Sequence, residues 1–276
     1  MRVEQVEGII DSGMSLYSRL LRAIDEVKAF DDVNISVAHK SKALRKFGRS
    51  TAIDNTGYKT IWDHSGDAEH ETLLTSNGIT HVSSSSGSDT MDLRIEGHTI
   101  SGTDLTFVVQ TVTVTGQTAA ALDTALARCT RVQVQGTTAN VGDLYVHEGG
   151  AQTNGVPDTA SEVHAKVPIG QDQTRKAATA VSSVDYWLIT RVFATVNRQQ
   201  AASVDIVLET KSTTGVWTPT FAEIGLASSG LSAFQLDLDP VLIVPSNHDV
   251  RLVARGSSAS DTTVSASMAG YLAAAF

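Results

Sequence analysis

Met91-Asp92-Leu93-Arg94-Ile95-Glu96 is the stretch that decides the fold, because apolar and polar side chains alternate along its whole length. Leu105, Phe107 and Val109 repeat the alternation a few residues later. Successive side chains of a β-strand point to opposite faces, so this period of two predicts half-buried strands. Turn-forming residues lie between the two stretches, in Ser101-Gly102-Thr103-Asp104. The sequence therefore predicts an antiparallel β-structure with short turns.

Further strands extend this pattern to about residue 146. Val112 and Val114 continue it after a change of phase, and strands are predicted at 131–135 and 143–146. The Ala-rich stretch Thr118–Leu126 fits either a short helix or an irregular strand, and both possibilities stay open. Short strands at this spacing are typical of an antiparallel sandwich. We expect a first β-sandwich domain over residues 61–150.

A second series of strands follows the linker-like stretch Gly149–Pro157. Predicted strands lie at 163–168, 187–196, 204–210, 216–224, 234–238, 241–244, 250–254 and 264–272. The apolar ending Tyr271–Phe276 is expected to continue the last strand against the sheet. We therefore expect a second β-sandwich over residues 160–276, and a jelly-roll-like, mainly β fold class for both domains.

The first thirty residues follow a helical period instead. Apolar residues recur in steps of three and four, as in a heptad repeat, at Val3, Val6, Ile10, Tyr17, Leu20, Ile24 and Val27. Gly13 interrupts the series, and a turn at Asp11-Ser12-Gly13 would split the helix in two. Such a stripe must be buried, either on the chain's own domain or against copies of the chain or a partner.

Residues 31–60 show no clean period and are expected to form an extended arm, so that residues 1–60 make a helix followed by a docking segment. The arm carries a basic run and no acid between Val33 and Ile53. Its candidate interface residues are Lys40, Lys42, Arg45, Lys46 and Arg49. The run either docks on an acidic neighbour or is an ordinary solvated loop.

Charge and cysteine content limit the classes of function. The net charge is −9, yet residues 1–50 hold nine Lys and Arg against seven Asp and Glu, so the rest of the chain is strongly acidic. An acidic body makes nucleic acid an unlikely partner. One cysteine allows no intrachain disulfide. No stretch approaches the roughly 20 apolar residues of a membrane span, and the start lacks the features of a secretion signal, so we expect no membrane partner and no export.

Chemical motifs are weak. Residues 63–71 hold two histidines and four carboxylates, but their spacing matches neither a helical His pair nor a calcium loop, and a polar turn explains them equally well. Ser83–Ser86 lie near His81 and Asp89 without the motif of a hydrolase nucleophile. Cys129 lies near two arginines, yet a lone cysteine in a sheet is usually a small core residue. Trp62, Trp187 and Trp217 could stack on a sugar, but such residues more often anchor a core. We expect no enzyme activity, cofactor or metal.

Six segments of the chain carry a recognisable pattern. They are Lys46-Phe47-Gly48-Arg49, Ile61-Trp62-Asp63, the serine-rich stretch 83–90, Arg94-Ile95-Glu96-Gly97, Val112-Thr113-Val114-Thr115-Gly116 and Thr138–Leu144. Together they resemble virion structural proteins of tailed bacteriophages, many of them marine. The resemblance covers roughly residues 46–146, and it departs from the usual pattern where Met91-Asp92 directly follows the serine-rich turn. It implies a particle-building role and no catalytic residues.

Two functional hypotheses follow. The first is a virion structural protein that assembles on or decorates the capsid or tail through contacts with itself, as a trimer or higher oligomer, and with other virion proteins. The alternative is a short tail fibre or head fibre module that recognises a host surface glycan. An enzyme acting on cell-wall polymer would need paired carboxylates in a cleft, for which only residues 63–71 offer candidates.

Overall fold

The computed structural model describes residues 42–64, 68, 70–258 and 262–274, without the side chains of residues 198–202 and 221–232. This part of the chain is mainly β, as the alternation predicted, and its strands pair antiparallel. The strands are β1 (Lys42–Ile53), β2 (Lys59–Thr60), β3 (Ile79–Ser84), β4 (Thr90–Ser101), β5 (Asp104–Thr115), β6 (Ala120–Leu126), β7 (Arg128–Val134), β8 (Leu144–His147), β9 (Gln152–Thr153), β10 (Val156–Pro157), β11 (Val163–Val167), β12 (Ala178–Ala180), β13 (Asp185–Ser212), β14 (Thr218–Val244), β15 (His248–Gly256) and β16 (Thr262–Ala274). A short 3-10 helix spans Ala160–Glu162.

The largest sheet contains strands from both ends of the described chain. Its order is β1-β16-β13-β15-β12, with β14 beside β13 and β2 beside β15. The sheet curls until Gly48 of β1 reaches the opposite border, where a Cβ would lie only 2.0 Å from Ile61 O and 2.4 Å from Ala177 N. Only glycine permits this approach. The curled sheet encloses one hydrophobic core, which includes the buried Trp187.

Strand β13 keeps one face on this core by means of a bulge. Trp187 and Ile189 are buried at odd positions, whereas Val192 and Ala194 are buried at even positions. The register with β16 shifts at Thr190, where one extra residue of β13 reverses the phase of its side chains, and the register with β14 shifts at the same point. The two strands predicted at 187–196 and 204–210 are parts of this one strand of 28 residues.

Two smaller sheets form the rest of the fold. One has the order β5-β4-β7 and the other β11-β8-β3-β6. They face each other across a second hydrophobic core of mostly Val, Leu and Ile, in which Leu93 and Ile95 of β4 are fully buried. The strand orders do not confirm a jelly roll for either part of the chain.

The N-terminal expectations are only partly tested. Residues 42–60 do not form an extended arm, because β1 pairs with β16 along its length and β2 pairs with β15. Partners about 200 residues away in the sequence give no local signal. The predicted helix with Val3, Val6, Ile10, Tyr17, Leu20, Ile24 and Val27, and also Lys40, lie outside the described residues.

The division into residues 61–150 and 160–276 stays a prediction, and two details of the strand pairing differ from it. Strand β11 pairs with β8, so Ala165 and Val167 pack in the second core together with the earlier strands. Within the predicted linker, β9 and β10 form a small hairpin around Asn154 and Gly155, which both have positive φ. The undecided stretch 118–126 contains strand β6.

Candidate interaction site

Strand β1 distributes the predicted basic residues between its two faces. Arg45 and Phe47 are exposed, whereas Lys46 and Gly48 are buried, because successive side chains alternate. Arg49 is half-buried on the same face as Arg45. The basic run is therefore neither a solvated loop nor a uniform docking surface, since one of its lysines points into the protein.

The outer face of the large sheet carries Arg45 and Phe47 together with residues of three other strands. Phe47 and Phe193 lie opposite the same residue of β16, Ser267, so the two rings flank a small side chain. Both phenylalanines are 36% exposed. A second apolar row crosses β16, β13 and β14 at Tyr271 and Ile243, which are 49% and 55% exposed.

A polar row separates these two apolar rows. Arg45 lies opposite Ala269, and Ala269 lies opposite Arg191 on β13. Arg191 Nε donates a hydrogen bond to Asp237 Oδ1 of β14 at 2.5 Å. We call the surface formed by Phe47, Phe193, Tyr271, Ile243 and this polar row the outer face. It combines exposed aromatic rings with arginines around small central residues.

A cleft of about 560 Å³ lies beside the first half of β1. Its walls are residues 42–47 of β1, residues of the three-stranded sheet, and the segment around β12. Lys42, Lys46, Arg131 and Lys176 are among the lining residues. At the mouth, Lys42 Nζ lies 5.7 Å from the centre of the exposed Phe107 ring. The cleft thus joins the buried side of β1 to solvent.

Lys46 is the unusual residue of this cleft. It is only 6% exposed, and among the described residues its ammonium group donates one hydrogen bond, to Thr130 O at 2.7 Å. Burial and then the neighbouring Lys176 lower the pKa of Lys46 to about 7. No carboxylate of the described chain forms an ion pair with it, so its charge is poorly compensated.

His98 lies on another wall of the same cleft. It is 3% exposed, and its Nδ1 atom has no hydrogen-bond partner in the described part of the chain. Burial, followed by the charges of Lys46 and Arg128, lowers the pKa of His98 to about 3. The ring is therefore neutral near pH 7, and one ring nitrogen is available as a hydrogen-bond acceptor.

Two other buried cations, Arg128 and Lys176, lie between the large sheet and the smaller sheets, and both are well compensated. Arg128 donates to both carboxylate oxygens of Asp249, at 2.7 and 3.0 Å, and the two side chains are 4% and 3% exposed. Lys176 Nζ lies 2.8 Å from Glu71 Oε2 and donates to two carbonyl oxygens, of Cys129 and His164. We call the group Lys46, Arg128, Thr130, Lys176 and Asp249 the interlayer contact.

The acid- and histidine-rich segment 63–71 contributes to internal ion pairs. Asp63 accepts a hydrogen bond from Arg175 at 2.8 Å, and Glu71 binds Lys176. Burial alone would raise the pKa of Glu71, but Lys176 and His164 hold it below its usual value. No group of three or more His, Cys, Asp and Glu side chains in the described ranges is arranged to hold a metal ion.

The serines near His81 are tied into structural hydrogen bonds. Ser83 Oγ lies 3.2 Å from His147 Nε2, but His147 Nδ1 accepts the backbone N–H of Gly149 at 3.0 Å. That bond places the ring proton on Nε2, so His147 donates to Ser83 and cannot take its proton. Ser83 in turn donates to Gly155 O. This pair therefore lacks the arrangement of a nucleophile and its base.

The remaining candidates are packed in the interior or covered. Cys129 is fully buried, as predicted, and burial raises its pKa to about 12. Trp62 and Trp187 are 1% and 0% exposed, so their rings cannot stack on a sugar. Trp217 is half-buried, and the Arg251 guanidinium lies 3.9 Å from its ring centre. Within the described residues, no helix has the length and hydropathy to cross a bilayer.

Sequence reasoning found Lys42, Arg45, Lys46 and Arg49, which the structure brings together on one strand, but it missed His98, Arg128 and Asp249. Arg128 had a usable signal, since it is a lone charge in the apolar run Leu126-Ala127-Arg128-Cys129. His98 and Asp249 had none, because each stands among ordinary turn and strand residues. Only the folded arrangement assigns them to the cleft and to the interlayer contact.

Comparisons with known proteins give no family for this chain. No family profile matches the sequence, and no curated protein matches it. Among solved structures, a chain from the Gx strain of infectious bursal disease virus has 9% identity and a TM-score of 0.25. The match covers 86% of this chain and 73% of the viral chain. The VP2 subviral particle of that virus gives 10% identity, a TM-score of 0.22, and coverage of 87% and 73%. Likenesses at these TM-scores carry no argument about fold or function.

Proposed function

We propose that this chain is a virion structural protein of a tailed phage that assembles on or decorates the capsid or tail. It would do so through contacts with copies of itself and with other virion proteins. The observation that carries the proposal is the outer face. The resemblance over roughly residues 46–146 supports it, because one of its segments, Lys46-Phe47-Gly48-Arg49, lies within β1 at the border of this face.

The outer face has the composition of a protein contact. Phe47 and Phe193 form one exposed apolar row and Tyr271 and Ile243 another, and exposed apolar patches rimmed by polar residues commonly mark interaction sites. Aromatic residues and arginine are the side chains most enriched in protein interfaces. Small residues of β16 between the two phenylalanines leave room for a partner's side chains. A second copy of this chain is the partner that we propose for it.

Strand β14 offers a second means of association. It is 27 residues long and pairs with β13, and its other edge has no partner strand among the described residues. Exposed strand edges are templates for pairing with another chain. Pro219 and Pro240 lie near its two ends, where they lack the N–H that such pairing needs. Its central part is therefore the section available for contact.

Size-exclusion chromatography with light scattering tests the proposal directly. We expect the full chain to form a trimer or higher oligomer, and Phe193→Glu to shift it toward the monomer mass of 29.2 kDa. Val216→Glu is the matched control, since Val216 is 79% exposed in a turn away from the outer face and should keep the wild-type mass. A chain that stays monomeric at all concentrations and does not bind purified particles would overturn the proposal.

The alternative, a receptor-binding fibre module, has less support. Two of the three tryptophans are buried and the third is covered by Arg251, so the expected aromatic platform for a sugar is absent from the described residues. A glycan array probed with the full chain separates the two functions. Saturable binding to one glycan class would favour the receptor role.

A further inference from the structure

Among the described strands, none pairs with the second edge of the first half of β1. In an antiparallel strand, the backbone N–H and C=O of one residue point to one side of the strand, and those of the next residue point to the other side. The N–H of Arg49 points away from β16 and donates to Arg175 O at 3.4 Å. The backbone groups of Ala43, Arg45 and Phe47 therefore point the same way, toward the cleft. No backbone hydrogen bond within the described ranges reaches them there.

The opposite wall of the cleft is also a strand edge. Strand β12 pairs with β15 on one side, and Thr179 and Ala180 line the cleft. The gap between β1 and β12 closes at Gly48, which touches Ala177, and it opens toward Lys42. A cleft of about 560 Å³ between two such edges has the shape and size for a short extended peptide.

The charges and buried polar groups of the cleft specify the chemistry of that peptide. Lys42, Arg45, Lys46, Arg131 and Lys176 line it, against the two acids Glu96 and Asp185. Glu96 already binds Arg94, and Lys176 already binds Glu71. Within the described residues, Lys46 has no ion-pair partner and His98 Nδ1 has no hydrogen-bond partner. A carboxylate and a backbone N–H, both supplied by an acidic extended segment, would satisfy these two groups.

One segment of this chain has those properties. Asp31-Asp32-Val33-Asn34-Ile35-Ser36-Val37 begins with two acids, and Val33, Ile35 and Val37 then alternate with polar residues, which is a short strand pattern within a stretch that as a whole has no clean period. The connection from Val37 to β1 is Ala38-His39-Lys40-Ser41, in which Ser41 is a turn-forming residue but Gly, Asn, Asp and Pro are missing. The sequence thus gives only a weak turn signal for pairing within the same copy, whereas pairing between copies requires no turn.

We propose that residues 31–37 of a second copy add to the free edge of β1 as an extra strand in the cleft, with Asp31 and Asp32 among its cations. This proposal rests on the self-association proposed above and assigns it a second contact beside the outer face. Such strand addition explains why a buried lysine without a counter-ion borders an open cleft.

Two charge-reversed variants of the full chain test it. One carries Asp31→Lys and Asp32→Lys, and the other carries Lys42→Glu and Arg131→Glu, two cations that line the cleft and do not belong to the outer face. Each variant alone should lose the oligomer seen for the wild type by light scattering. Mixing the two in equal amounts should raise the mass to at least twice that of either variant, because each segment then meets a cleft of opposite charge.

Exposed acids away from the cleft give the control. Asp123→Lys with Asp158→Lys changes the net charge equally and should keep the wild-type mass. The proposal is wrong if both cleft-related variants keep the wild-type mass, or if mixing does not restore the oligomer. It is also wrong if all four reversals must be in one chain for rescue, because that result means pairing within one copy. A monomeric wild type, in contrast, would overturn the proposed self-association itself.

Discussion

The interlayer contact holds a buried cation at each end and, in the described part of the chain, only one of the two has a carboxylate beside it. At one end Arg128 forms two hydrogen bonds to Asp249, and both groups are almost fully buried. At the other end Lys46 is equally buried but, among the described residues, binds only the carbonyl of Thr130. Burying a charge without a counter-ion costs free energy, so the described residues compensate the cation at the Arg128 end and leave the cation at the Lys46 end uncompensated. The Lys46 end is therefore where we propose that a second copy binds.

Asp249→Ala should have the largest effect, because it leaves the Arg128 guanidinium buried without its carboxylate. Breaking a buried ion pair in this way costs about 4 kcal/mol of unfolding free energy. Urea unfolding followed by the fluorescence of the buried tryptophans measures it. Asp237→Ala is the control, since the Arg191–Asp237 pair is exposed to solvent and its loss should leave the urea midpoint nearly unchanged. Equal effects of the two changes would contradict the comparison.

Gly48→Ala tests the point where β1 closes against Ile61 and Ala177. The new methyl group would meet backbone atoms that cannot move away easily, so we expect a loss of about 3 kcal/mol. Gly57→Ala provides the comparison, since no atom lies within 4 Å of its Cβ position. The same urea titration serves for both variants. An unchanged midpoint for Gly48→Ala would mean that the border between β1 and Ala177 is loose.

Lys46→Met should stabilise the isolated chain by about 2 kcal/mol at pH 6, because an apolar side chain replaces an uncompensated buried charge. The size of this gain in unfolding free energy depends on pH. The folded-state pKa of about 7 lies below the ordinary 10.5, so the unfolded chain holds more protons between these values and wild-type stability rises with pH across that window. The advantage of the variant should therefore be full below pH 7 and shrink toward pH 10.5. Unfolding titrations at pH 6, 8 and 10, at one low protein concentration, measure it.

His98→Gln should reduce the sensitivity of the fold to acid. The folded-state pKa of about 3 lies below the ordinary 6.5, so stability is present above pH 6.5 and is lost as the pH falls through the window down to 3. By pH 5 the loss from this residue is about 1–2 kcal/mol. The variant should lose correspondingly less between pH 6.5 and 5 in thermal melts. His147, with a pKa of about 4, acts in the same direction and remains in the variant.

Local patterns predicted the strands well where burial follows a period of two. Met91, Leu93 and Ile95 are buried in β4, and the expected last strand is the end of β16 as far as residue 274. The long strand β13 was predicted as two pieces, since the polar run Asn197-Arg198-Gln199-Gln200 interrupts the apolar alternation between them, and the phase also changes at the bulge at Thr190. Periodicity identifies a strand only while the register stays constant.

Pairing between distant parts of the chain could not be predicted from the sequence. The basic run has no apolar alternation, because β1 buries Lys46, Gly48 and Ser50 where a core strand normally has aliphatic residues. Its composition therefore indicated an arm, although it is a strand of the large sheet. The cleft depends on residues from five separate segments of the chain, within 42–47, 96–107, 130–131, 173–185 and 272–274, and no spacing rule connects them.

The pairing of β1 with β16 has a consequence for how the protein is made. Strand β16 starts roughly 200 residues after β1 ends, which at about 5–20 residues per second is a delay of about 10–40 s on the ribosome. During that interval the first strand has no β16 to bind, and the large sheet cannot close. Folding of this sheet must wait until β16 has been synthesised. A product that terminates before Thr262 lacks β16 and also leaves β1 without the strand it pairs with, so the sheet loses two strands.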